Sequence, residues 1–150
     1  MIRGVHVETT ISTAGGLIYE MLAGIAEEYL CYNLESQYEA FMISIADAFA
    51  GETLSESYDA LSDNQNGFFI SLKLQFFRAE DQFCEVSNYQ EFLDSDCQIL
   101  LLLYDCVYYD IYVKGEKRSE DIYQSIDKSI LRELSYITDD NDTRTKMSVR

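Results

Sequence analysis

The fold class the sequence predicts is α+β: an antiparallel or mixed sheet of four or five strands with helices packed mainly on one face. Three observations predict it. Apolar residues at three-and-four spacing concentrate in the first half of the 150-residue chain, apolar/polar alternation concentrates in the second, and no proline, internal repeat or low-complexity linker interrupts either. Residues 1–150 therefore read as a single acidic domain of ordinary size, and the two patterns together call for helices laid on a sheet.

Residues 2 to 9 alternate, with Val5 and Val7 on one side and His6 and Glu8 on the other, as in a half-buried strand. Gly15-Gly16 marks a turn, after which Leu17, Ile18, Met21, Leu22, Ile25 and Tyr29 form a helical stripe that leaves Glu20, Glu27 and Glu28 largely outside it. Cys31 to Glu35 fits either a short strand or a connector. Ser36-x-x-Glu39 is a capping-box pattern, in which each side chain satisfies a free backbone donor at a helix start, and Tyr38, Phe41, Met42, Ile45 and Phe49 supply the stripe behind it. Thr53-x-x-Glu56 repeats the pattern ahead of Leu54, Tyr58 and Leu61, before a break at Asp63-Asn64-Gln65-Asn66-Gly67.

The second half reads as sheet. Phe68, Ile70, Leu72, Leu74 and Phe76 alternate with Phe69, Ser71, Lys73, Gln75 and Phe77. Ser87-x-x-Gln90 caps a brief helix through Leu93, and Ile99 to Tyr104 is a continuous apolar run suited to a central strand covered on both faces. Val107, Tyr109, Ile111 and Val113 form a second strand, and the tight link at Asp105-Cys106 implies an antiparallel hairpin. Ser119 caps a helix carrying Ile122, Tyr123, Ile126 and Ile130, with Glu120 and Asp121 in its first turn. A last strand, Leu134 to Thr138, runs into a polar end.

Composition bounds the function. The chain has 27 acids against 11 bases, a net charge of −16, with 47% hydrophobic residues. That apolar share is too rich for an acidic disordered chain. The charge argues against direct nucleic-acid contact and against anionic membranes, which want clustered Lys and Arg. No secretory signal opens the sequence, and its longest unbroken apolar run, Ile99 to Tyr104, is far shorter than the roughly 20 residues of a membrane-spanning helix. The scattered Cys31, Cys84, Cys97 and Cys106 read as buried free thiols, so a cytoplasmic protein is expected.

Catalytic signals are sparse. His6 is the sole histidine, and its place on the polar side of a strand suits a surface or hydrogen-bonded structural role better than a catalytic one. No phosphate-cradling loop, nucleophile elbow or zinc motif is present. Carboxylate pairs such as Asp94 with Asp96 or Glu27 with Glu28 are unavoidable among so many acids. Asp139-Asp140-Asn141-Asp142 begins like a calcium loop but has Arg144 where glycine is needed and Arg150 where a bidentate glutamate belongs, so a turn with locally bonded Asp and Asn side chains is expected. No catalytic residue, metal or cofactor is assigned.

The distribution of charge is more informative. Residues 4–113 carry 19 acids against Lys73 and Arg78, a net of −17, whereas residues 114–150 balance eight acids with eight bases. Such a block is either a solvated face or a surface that meets a basic partner. Its candidate contact residues are Glu20, Glu27, Glu28, Glu35, Glu39, Glu52, Glu56 and Asp59, joined by an acidic-aromatic stripe of Tyr108, Asp110 and Tyr112.

Three segments carry a family resemblance: Arg3-Gly4-Val5-His6-Val7-Glu8, the run from Tyr89-Gln90-Glu91-Phe92-Leu93 through Ile99 to Tyr112, and Tyr136 to Thr145. Across them the chain resembles a family of short uncharacterised proteins from Bacillus and its relatives, a bacterial domain of unknown function. About half the chain is covered, and residues 31–66 match poorly. No activity or site residue travels with that family. Small acidic proteins of this type look like immunity proteins that neutralise bacterial toxins, many of them basic nucleases. The expected function is thus non-enzymatic sequestration of a basic protein, with a small ligand-binding or regulatory module that self-associates as the alternative.

Overall fold

The computed structural model describes residues 1–10, 18, 21, 29–38, 50–53 and 69–149. Among the described residues, seven strands form one sheet: β1 (Ile2–Thr9), β2 (Leu30–Tyr38), β3 (Ala50–Thr53), β4 (Phe69–Phe77), β5 (Ile99–Tyr104), β6 (Tyr108–Val113) and β7 (Leu131–Thr138). They lie in the order β3-β2-β4-β5-β6-β1-β7, and every neighbouring pair is antiparallel. Two α-helices are described in full, α1 (Tyr89–Asp94) and α2 (Glu116–Ser125).

The α+β class and the antiparallel sheet match expectation, but seven strands replace four or five. The excess comes from the first half. Leu30–Tyr38 is a strand whose pairing with β4 slips at Asn33/Glu35 and at Gln37/Tyr38, and such bulges destroy the period of two by which a strand is read. Ser36 and Tyr38, read as the start of a helix, lie in this strand. Local capping chemistry yields there to a ladder of backbone hydrogen bonds with β4. The remaining residues of that helix, those after Thr53, and most of the Leu17–Tyr29 stripe lie outside the described residues; Ile18 and Met21 are helical and buried.

The sheet has a core on each face. Val5, Val7, Leu72, Leu74, Phe76, Ile99, Leu101, Leu103, Tyr109 and Ile111 point to the first face, where they meet Ile18, Met21, Ile122 of α2 and Ile126 just after it. Phe77, Leu100, Leu102, Tyr112 and Ile137 point to the second, where they meet Val86, Phe92 and Met147. Helices are therefore not confined to one face. Both sides of β5 are buried, which explains why its sequence shows no alternation.

Two helix starts are displaced from their expected positions. Asn88, not Ser87, caps α1 by accepting from the Glu91 amide at 2.9 Å, while the Glu91 carboxylate accepts from the Ser87 amide at 2.7 Å. α2 begins at Glu116 after Gly115, whose φ of 101° favours glycine; Ser119 is inside the helix and buried. The β5–β6 hairpin forms as expected, with Asp105 and Cys106 at φ of 50° and 68° and Tyr104 stacked on Tyr108 at 5.4 Å. Cys31 and Cys97 are buried free thiols, but Cys84 is exposed and Cys106 half-buried.

Candidate functional site

The alternation of β1 sends His6 to the second face, and register does the rest. His6 lies opposite Asp110 on β6 and opposite Ser135 on β7, so the three form one row across adjacent strands. His6 Nδ1 is 2.5 Å from Asp110 Oδ1. The other carboxylate oxygen accepts from Arg144 Nη2 at 2.6 Å and from the Tyr104 hydroxyl at 3.2 Å. Asp110 is 8% exposed, and three donors from β1, β5 and the C-terminal segment are what keep a buried carboxylate tolerable there.

Arg144 also donates from Nη1 to the Ser148 carbonyl at 3.1 Å, bracing the C-terminal segment within itself, while its bond to Asp110 ties that segment to the face. Beside it, Asp142 accepts from Arg3 Nη1 at 3.1 Å and from the Tyr112 hydroxyl at 3.0 Å. The turn before it is held by Asn141 and Thr138, each accepting from the other's amide with its side chain, which is the locally bonded turn expected of this segment. Between this segment and the β1–β6–β7 face lies a cleft of about 640 Å³, lined by His6, Tyr104, Asp110, Ser135, Arg144 and Lys146 among others.

Electrostatics couple these groups. The hydrogen bond to Asp110 raises the His6 pKa above its ordinary 6.5, burial opposes this, and the charges of Asp110, Glu133 and Glu8 add to the rise. Burial pushes the Asp110 carboxyl up, but the hydrogen bonds from His6 and Arg144 outweigh it and the net shift is downward. Burial, helped by Asp110, pushes the Tyr104 phenol up to about 12. Because His6 binds its proton more tightly when folded, its contribution to stability is complete below the unfolded pKa of 6.5 and is lost as pH rises through the higher folded value. The gap in urea midpoint between the native protein and His6→Gln is therefore expected to shrink from about pH 5.5 to about pH 8.5. A gap that widened over that interval would contradict the pairing.

A second feature covers the other half of the same face. Residues 79–98 contain six acids and no base. Lys73 Nζ donates to the Val86 carbonyl at 2.6 Å, and the Gln75 side chain brackets the strap by donating to the Cys84 carbonyl at 2.7 Å and accepting from the Val86 amide at 3.1 Å. Val86 and Phe92 are buried beneath it. Glu80, Asp81, Glu85, Glu91, Asp94 and Asp96 are all exposed above it, accompanied by Phe83 and Leu93 at 42% and 48% exposure.

The sequence-derived contact residues divide accordingly. Tyr108, Asp110 and Tyr112 do share one strand face, but Asp110 and Tyr112 are buried and engaged by Arg144 and Asp142; what the stripe offers is the floor of a cleft. Backbone register sets Glu35 opposite Lys73 and Glu52 opposite Cys31. Glu20, Glu27, Glu28, Glu39, Glu56 and Asp59 lie outside the described residues. The acidic strap was missed, although a 20-residue window without a single base was its available signal.

Comparison with known proteins adds a lineage. A family model described as a protein of unknown function, DUF2691, matches residues 2–148. The chain belongs to this family. An uncharacterised relative, YncE of Bacillus subtilis strain 168, is 35% identical over 82 residues, which cover 55% of this chain and 54% of that protein. The chain thus spans about half the length of the curated relative it matches. No solved structure matches. Among the described residues, no group of three or more His, Cys, Asp and Glu side chains is arranged to hold a metal ion, and no helix is long and apolar enough to cross a membrane.

Proposed function

We propose that this DUF2691 protein is a non-enzymatic binding protein that sequesters a basic protein partner, most concretely a toxin-neutralising immunity protein acting in the cytoplasm. The observation that supports it is the strap over the second sheet face: six exposed carboxylates with no base among them, beside exposed Phe83 and Leu93. Opposite potentials speed encounter and select against wrong partners, while apolar side chains within the patch supply contact area. The strap is anchored by buried Lys73 and Gln75, so it is presented without a large ordering cost on binding.

Co-purification from the native organism tests this reading. At about 50 mM salt a basic protein is expected to be retained, and at about 500 mM salt to be released, since exposed charges are screened over a shorter distance there. The variant carrying Asp81→Asn, Glu85→Gln, Asp94→Asn and Asp96→Asn is expected to bind the recovered partner at least about tenfold more slowly. Retention that ignores salt, or a variant that binds as fast as the native protein, would defeat the proposal. A second reading, a small ligand-binding or regulatory module, is favoured by the cleft beside His6.

A further inference from the structure

The C-terminal quarter is charge-balanced in an otherwise acidic chain, and its bases are used unevenly. Arg144 and Lys146 line the cleft. Both oxygens of Asp110 are engaged, one by His6 and one by Arg144 and Tyr104, so a protonated His6 leaves two cations on one carboxylate. Asp142 is likewise spent on Arg3 and Tyr112. Of the carboxylates lining the cleft, Glu133 alone makes no ion pair with a described residue. His6 uses only Nδ1 for Asp110, and its side chain is 24% exposed, so Nε2 has no hydrogen-bond partner among the described residues. Ser135, opposite His6 in register, and Thr145 add hydroxyl groups to the same lining.

We propose that the cleft binds a small oxyanion, a phosphate or carboxylate group, that accepts from His6 Nε2–H and is neutralised by Lys146, with the Ser135 and Thr145 hydroxyls as further donors. This rests on the ligand-binding reading and is independent of the acidic strap. The site combines His6 and Ser135 on paired strands with Thr145 and Lys146 on the C-terminal segment, so cationic and hydroxyl donors converge in a polar cleft in which Asp110 and Asp142 are already paired. The charges that act on His6 are Asp110 from β6, Glu133 from β7 and Glu8 from its own strand, and Tyr104 from β5 and Arg144 and Lys146 from the C-terminal segment line the same cleft. Asp110, Glu133 and Glu8 favour the imidazolium, and burial opposes it. Binding therefore requires the protonated ring and fades as pH rises through the His6 pKa.

Inorganic phosphate and acetate are titrated separately into the native protein, following the His6 ring nitrogens by NMR. Saturable movement of Nε2 at pH near 6, weakening about tenfold or more by pH near 8.5, is the expected result; which anion saturates first tells phosphate from carboxylate. Lys146 is exposed, so Lys146→Gln keeps the fold and is expected to weaken binding several-fold, while His6→Gln, followed by backbone amide shifts because it lacks the ring, is expected to bind without the pH dependence. No saturation by either anion up to tens of millimolar, or an affinity unchanged in both variants, overturns the proposal. A thermal-shift screen of neutral and cationic metabolites separates the layers: stabilisation by one of these alone, with the His6 ring moving, removes the oxyanion and keeps the ligand site. No stabilisation by any of these together with no saturation by either anion removes both.

Discussion

Gly4→Ala is expected to destabilise the protein by about 3 kcal/mol or more, lowering the melting temperature by roughly 10 °C in a domain of this size. Gly4 sits in β1 between Tyr112 of β6 and Ile137 of β7. A β-carbon built there would lie 1.8 Å from the Ile111 carbonyl oxygen and 2.8 Å from its carbon. Both are backbone atoms in a central strand, so no side-chain rotation relieves the clash. β1 must instead move away from β6, which would loosen the ladder and the His6–Asp110 contact that depends on it. Thermal unfolding checks the size of the effect. A melting temperature within about 2 °C of the native value would show that β1 and β6 do not approach this closely.

Asp110→Asn is expected to cost about 3 kcal/mol near pH 6, and less near pH 9. The substitution nearly preserves shape but leaves the Arg144 guanidinium, 19% exposed, without the carboxylate it faces. Burial works against the Arg144 charge, and in the native protein the hydrogen bond and charge of Asp110 more than offset this. His6 loses the hydrogen bond that chiefly raises its pKa. Since the native gain from His6 exists at low pH and disappears above its folded pKa, the penalty is larger on the acid side. A second readout is local: with Arg144 released, trypsin is expected to cleave after Arg144 or Lys146 several times faster. Unchanged cleavage together with an unchanged pH profile would mean that the Asp110 cluster does not hold the C-terminal segment.

The candidate site was only partly legible. The stripe Tyr108, Asp110, Tyr112 was visible because strand alternation fixes which residues share a face. That the stripe would be covered was not, since Arg144 and Asp142 lie 34 and 30 residues away from the groups they bind. His6 reads in isolation as a hydrogen-bonded structural histidine, and it does hold such a bond; its place beside a cleft depends on Asp110, 104 residues distant. In the first half, bulges in β2 and the four-residue length of β3 erased the alternation that made β4 and β6 readable.

By itself the sequence determined the class, the faces of β1, β4 and β6, the burial of β5 on both sides, the hairpin between β5 and β6, and the uneven charge, because strand patterning and turn chemistry act over a few residues. Tertiary structure alone decided that β1 inserts between β6 and β7, that the sheet carries a core on both faces, and that an acidic strap and a charge-balanced cleft share one of them. Those outcomes rest on backbone pairing and buried ion pairs between distant segments, and outside the tight hairpin nothing local in the chain specifies which distant strand a given strand will meet.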